Sequence, residues 1–166
     1  TSISPEIKSE HGLSIHVKTK KESILFDTGA GSIFLENAKK LGIDISSVDK
    51  VIISHGHYDH GGGLPAFLEA NNKALVYLNK FAFGNYYSVK EGIEKYIGLD
   101  KKLLPQERFI FIDGDVKIEE ELEIFSGVQQ KILSPSCNSS LYMRDEGDEK
   151  SATDVFRHEQ NLIIRE

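Results

Sequence analysis

Residues 54–63 read Ser-His-Gly-His-Tyr-Asp-His-Gly-Gly-Gly, and they hold most of the chemistry legible in this chain. Three of the six histidines and one aspartate fall between positions 55 and 60. Imidazole and carboxylate at that density are metal donors. In extended backbone, side chains two apart point the same way, so His55 and His57 can offer two nitrogens to one ion. Asp59 keeps that parity where the chain begins to turn, and His60 swings to the other side. The spacing therefore predicts two pairs, His55 with His57 and Asp59 with His60, suited to two ions ~3.5–4 Å apart. Gly56 leaves space between the first two ligands, and Gly61 to Gly63 allow a sharp strand-to-helix turn. The alternative, three histidines in a polar surface loop, accounts neither for the apolar Val51-Ile52-Ile53 before the motif nor for the glycines after it.

The elements around the motif follow from apolar periodicity. Leu13 to Lys18 alternates and predicts a strand, with Lys20-Lys21-Glu22 turning into a second strand over Ser23 to Asp27. Thr28 to Gly31 is a loop. Ser32 caps a helix over 33–41 that stops at Gly42. Lys50 to Ser54 is a short strand buried on both faces, with the His/Asp motif at its carboxyl end, where α/β sheets usually place sites. A helix over 63–70 and a strand over 74–78 follow. This order predicts an α/β layered fold. Residues 79–100 are expected to be helical, with Phe81, Phe83, Tyr86 and Tyr87 clustered. Strands are expected over 108–113 and 116–125, separated by Gly114. Residues 134–153, with Pro135 and an acidic run from Asp145 to Glu149, are expected to be an irregular surface excursion.

Composition narrows the classes. At 166 residues, 39% hydrophobic and 28% charged, the chain suits one globular domain over 1–166. A formal net charge of −6 disfavours non-specific nucleic-acid or anionic-membrane binding. No apolar run reaches the ~20 residues of a membrane span. A single cysteine, Cys137, excludes an internal disulfide and fits a cytoplasmic setting. The start at Thr1 and the strand pattern Asn161 to Glu166 at the other end read as cut ends of a longer protein.

With these residues in view, the chain resembles the metallo-β-lactamase-fold hydrolases. His55-Gly56-His57-Tyr58-Asp59-His60 is similar to their His-x-His-x-Asp-His signature, and Leu25-Phe26-Asp27-Thr28-Gly29 to the Asp-Thr-Gly strand end that precedes it. Glu10-His11-Gly12-Leu13-Ser14 and Phe156-Arg157-His158-Glu159-Gln160 resemble the branch that includes the methanopterin-pathway dihydropterin synthase type. The resemblance implies an αββα sandwich with its C-terminal part missing. It also implies a binuclear metal site: His55 and His57 on the first ion, Asp59 and His60 on the second, with Asp27 orienting ligands from behind. Two zinc ions are expected in the complete protein, with iron or manganese as other options, and the remaining ligands are expected beyond residue 166.

Other residues keep two readings. Asp27 either orients ligands or caps the Gly29–Gly31 loop. His158 either points to the pocket or holds structure by hydrogen bonding. His11 is placed to line the mouth of the site, whereas His16 reads as an ordinary strand histidine. Lys80, Phe81, Phe83, Tyr86, Tyr87 and Lys90 form either a core-facing helix surface or a stacking platform for a planar ring. Cys137 lacks a companion for thiol chemistry. The expected activity is a metal-dependent hydrolase, with Asp59 binding metal and orienting water, acting on an ester, phosphodiester, thioester or amide small molecule. Iron-dependent redox chemistry and an inactive metal-poor fragment are the competing readings. No nucleic-acid or membrane partner is expected.

Overall fold

The computed structural model describes residues 4, 6–128 and 135–165. The chain forms β1 (Ile15–Lys18), β2 (Ser23–Phe26), α1 (Ile33–Lys40), β3 (Lys50–Ile52), α2 (Tyr58–Gly61), α3 (Leu64–Ala70) and β4 (Leu75–Asn79). Then come β5 (Asn85–Lys90), β6 (Ile93–Tyr96), β7 (Phe109–Ile112), β8 (Val116–Lys117) and β9 (Leu122–Ser126). The last strands are β10 (Leu141–Arg144), β11 (Ala152–Thr153) and β12 (Gln160–Ile164).

Three sheets result, ordered β1-β2-β3-β4-β7, β11-β10-β5-β6 and β12-β9-β8. In the first, β1 and β2 form the expected hairpin, while β2, β3, β4 and β7 run parallel. Alternation along these strands sorts their side chains into two cores. Leu25, Val51, Ile53, Val76, Leu78 and Phe109 face α1 and α3, where Phe34, Ala38, Leu64 and Phe67 meet them. Ile24, Ile52, Tyr77 and Ile112 face the opposite way and pack with Leu122 and Ile124 of the β12-β9-β8 sheet. Each fully buried aliphatic side chain among them contributes about 1.5–3 kcal/mol relative to exposure. The layers are thus helix, sheet, sheet, in the order of the first three layers of the expected αββα sandwich. Among the described residues all three α-helices precede β4, and no helix is long and apolar enough to cross a membrane.

Gln160 ties the two sheets together. Its side-chain amide donates to the carbonyls of Ile53 (2.8 Å) and Tyr77 (3.0 Å), and its backbone N–H donates to Ser54 O at 2.7 Å.

Three expectations need correction. Residues 79–100 are not a helix: β5 and β6 form an antiparallel hairpin, with Lys90 opposite Ile93. Its two-residue turn, Glu91-Gly92, has positive φ at both positions (52° and 78°), the twist that suits adjacent strands. Residues 116–125 hold two strands, because the chain reverses at Glu119–Glu121 and β8 pairs back onto β9. Within the described part of 134–153, β10 pairs with both β5 and β11. There Met143 joins Tyr86 and Ile97 in a third small core, so this segment is built into the fold. Residue 134, Glu166 and the side chain of Cys137 lie outside the described residues.

Candidate metal centre

The site forms where β2 and β3 end side by side. At the end of β2, Asp27 takes φ 61°, a conformation that aspartate tolerates better than most residues. This turn directs its fully buried carboxylate under the motif. Oδ1 accepts from Ser54 N–H at 2.7 Å, and Oδ2 accepts from Ser54 Oγ–H at 2.7 Å and from His60 Nδ1–H at 2.7 Å. Ser54 has one hydroxyl proton, which goes to Asp27. Its oxygen therefore accepts from His55 Nδ1–H at 2.9 Å. In their neutral forms, His55 and His60 both carry the proton on Nδ1 and leave Nε2 available. The Asp27 carboxylate bonds Ser54 and His60 rather than the Gly29–Gly31 loop.

The four motif side chains converge. The rings of His55 and His57 lie 4.7 Å apart between centroids, and those of His55 and His60 lie 4.1 Å apart. One donor atom each from His55, His57 and Asp59 falls within 4.8 Å of the others. Asp59 Oδ2 is also 3.6 Å from His60 Nε2. Asp59 thus stands within reach of both expected pairs. The reason is helical: His57 caps α2, and a single turn over Tyr58–Gly61 brings His60 back beside His55. Burial, then the neighbouring His60, His57 and His158, push His55 down to about 2 from its ordinary 6.5, so it is a neutral imidazole near pH 7. Burial also acts to lower His60, but the bond and charge of Asp27, with Asp59, outweigh it and raise its pKa.

His11 does reach the mouth of the site. Its ring is highly exposed, with Nε2 3.3 Å from Asp59 Oδ2. His16 lies elsewhere, held by Ser23 Oγ at 2.8 Å. His158 is fully buried behind the cluster, its ring centroid 5.0 Å from that of His57. Its Nδ1 accepts from Gly56 N–H at 2.8 Å, and its Nε2 lies 3.0 Å from Asp154 Oδ2.

Asp154 is the participant that sequence reasoning missed. Its buried Oδ2 also lies 3.3 Å from His57 Nε2, while Oδ1 accepts from Phe156 N–H at 2.8 Å. Burial alone would raise the Asp154 carboxyl, but bonds from His158, His57 and the Phe156 amide hold it well below the ordinary range. The available signal was the Asp-x-x-x-His spacing into His158. Phe156 and Tyr86 wall the cluster, 5.7 and 5.6 Å from His57 between centroids. The helical stacking platform does not exist. Tyr86 is core, and Phe81 sits under Lys80 and Arg157 in a turn.

Gly56 has a role different from the one expected. A Cβ there would lie 2.2 Å from Ala82 O and 2.9 Å from the Tyr86 ring. The bare backbone admits its supports rather than spacing two ligands.

A model of the metallo-beta-lactamase superfamily matches residues 10–140. The chain belongs to that superfamily. Its structure is similar to that of Tm1679, a metal-dependent hydrolase of the beta-lactamase superfamily, at 31% identity and a TM-score of 0.74, covering 98% of this chain and 57% of that one. Protein MJ0448 of Methanocaldococcus jannaschii, itself uncharacterised, is 28% identical over 155 residues, 84% of this chain and 60% of its own length. The same organism's 7,8-dihydropterin-6-methyl-4-(beta-D-ribofuranosyl)-aminobenzene-5'-phosphate synthase is 37% identical over 91 residues, 52% of this chain and 30% of its own. This metallo-beta-lactamase-fold chain thus spans about three-fifths of MJ0448 and of Tm1679, and the resemblance to the dihydropterin synthase branch stands.

Proposed function

We propose that this chain carries the metal-binding part of a metal-dependent hydrolase acting on a small molecule with an ester, phosphodiester, thioester or amide bond. The single domain is read as covering residues 1–166. The observation that carries the proposal is the donor set. His55, His57 and Asp59 bring three donor atoms within 4.8 Å of one another, with His60 beside them. A catalytic zinc takes three protein donors and keeps one position open, so each two-donor half-site needs one donor more. Neutral His55, with Nε2 free, fits a cation without first losing a proton. His55 and His57 would hold a first ion, and Asp59 and His60 a second, with Asp27 keeping His60 in the ligating tautomer. Bound metal supplies a Lewis acid that brings the pKa of water to ~7. Asp59, reaching both half-sites and meeting His11 at the mouth, is placed to orient that water. The net charge of −6 favours a small molecule over a nucleic acid. A cytoplasmic setting goes with the lone cysteine.

Imidazole and carboxylate suit iron as well as zinc, so an iron-dependent redox enzyme is the second reading. Elemental mass spectrometry on protein purified without added metal or chelator separates the two. About two zinc per chain supports the hydrolase, and iron supports the redox reading. Hydrolysis across a panel of the four bond types, with RNA included, then tests the substrate class. Wild-type activity in His57→Ala refutes the role of the cluster.

A further inference from the structure

Behind the cluster, three buried side chains share one carboxylate oxygen. His57 Nε2 and His158 Nε2 lie 3.3 and 3.0 Å from Asp154 Oδ2. As a set of donor atoms, His57, Asp154 and His158 have the spacing of a metal site, just as His55, His57 and Asp59 do. Proton accounting separates the two groups. The Gly56 backbone N–H can only donate, and it donates to His158 Nδ1 at 2.8 Å. That nitrogen is therefore unprotonated, and a neutral His158 carries its proton on Nε2, facing Asp154. An ion bound to Nε2 would have to displace that proton and leave an imidazolate. Asp154 is filled as well. Its Oδ1 takes the Phe156 amide, and its Oδ2 takes His158. The remaining partner of Oδ2 is His57 Nε2, which pairs with a carboxylate by donating. That leaves Nδ1 as the free nitrogen of His57, a residue that also has a donor atom within 4.8 Å of donors on His55 and Asp59.

We propose that Asp154 and His158 are positioning residues that lock His57 with Nδ1 toward the metal cluster, and that neither is a ligand. The proposal rests on the metal-site reading above. Asp154→Asn shows why the carboxylate matters. Three N–H groups converge on two oxygens. An amide turned either way puts its own NH2 against the Phe156 N–H or against the two histidine donors. His158 in turn anchors the carboxylate from a ring pressed against Tyr86, 3.9 Å away between centroids. Phe156 stacks on the His158 ring at 5.5 Å between centroids, and keeps φ 56° while its amide serves Asp154.

Two measurements test this. In the metal-free wild-type chain, two-bond 15N–1H correlations at neutral pH should show both His57 and His158 protonated at Nε2. A proton on Nδ1 of either overturns the proposal, whether or not metal binds. Zinc affinity by chelator competition should fall ~10–100-fold in Asp154→Asn, with the number of zinc ions per chain at saturation unchanged. His158→Asn, whose side-chain oxygen can still accept from Gly56, should lose less. Unchanged affinity in Asp154→Asn, or one ion fewer at saturation, overturns the assignment. A wild-type chain that binds no zinc refutes the metal-site reading instead, and leaves the tautomer result to decide this one. If neither variant folds, the wild-type correlations still decide it.

Discussion

Gly56→Ala is the smallest change that should dismantle the site. The added methyl would sit 2.2 Å from Ala82 O and 2.9 Å from both Ala82 C and Tyr86 Cε2. Ordinary contact begins near 3.4 Å, so the backbone must give by about 1 Å. The obstacle is a carbonyl on a buried residue, and Tyr86 is held by its hydroxyl donating to Phe81 O at 2.6 Å. Neither neighbour can swing aside. Overpacking of this kind costs about 1–3 kcal/mol of stability. Residue 56 lies between His55 and His57, so the same shift moves both rings, and a misplacement of about 1 Å costs on the order of 100-fold in function. Urea unfolding of the metal-free chain reads the first effect, and zinc competition reads the second. Gly31→Ala is the internal control, because no heavy atom lies within 4 Å of the Cβ it would add. Wild-type stability and wild-type zinc affinity in Gly56→Ala, or equal losses in Gly31→Ala, would refute the reasoning.

Other expectations follow from contacts and charge. Asp27→Ala strips the acceptor from Ser54 N–H, Ser54 Oγ–H and His60 Nδ1–H. It should cost about 3 kcal/mol in urea unfolding and weaken zinc binding ~10–100-fold, since it leaves buried donors unpaired and an imidazole unoriented. The metal-free chain should lose stability on acidification through His55. Its folded pKa of about 2 lies below the ordinary 6.5, so the unfolded state binds more protons between those values. The contribution is complete above pH 6.5 and falls by about 2 kcal/mol at pH 5. His60, with a raised folded pKa, opposes it. Melting temperatures of wild type and His55→Ala across pH 5–7 isolate the effect, and parallel curves would exclude it. Asn71→Ala should separate stability from function. The Asn71 amide donates to Ile45 O and Val48 O, both at 2.9 Å, and accepts from Ala74 N–H at 2.8 Å, on the helix side of the first sheet. Its loss should cost about 3 kcal/mol, with zinc affinity unchanged in the folded fraction.

The sequence is most readable where periodicity and chemistry coincide. The parallel strands β2, β3 and β4 show it as short apolar runs, because they are buried on both faces. The candidate ligands of the motif, with Asp27 at the preceding strand end, are visible because their types and spacing are local. Long-range organisation is what stays hidden. Residues 79–100 looked helical because aromatic residues recur there, whereas the hairpin is set by Glu91-Gly92. Glutamate is an unusual left-handed turn residue, so it carries none of the Asn-Gly signal. Residues 141–144 sit in a polar stretch, and only their pairing with β5 makes them a strand. Asp154 is an acidic residue in an acidic region, and what makes it a site residue is a partner 97 positions earlier.

The small β11-β10-β5-β6 sheet grips the candidate metal centre from two directions. Tyr58 N–H bonds to Ile97 O just after β6, and Asp154 follows β11 directly. A peptide spanning 50–70 would hold all four candidate ligands, yet its His57 would be free to present either nitrogen. Correct ligation therefore waits for the slow, non-local closure that brings the second half of the chain over the first. Zinc uptake during refolding would be a clock for that last step. It would be weak while the parallel strands assemble and tighten when residue 154 arrives.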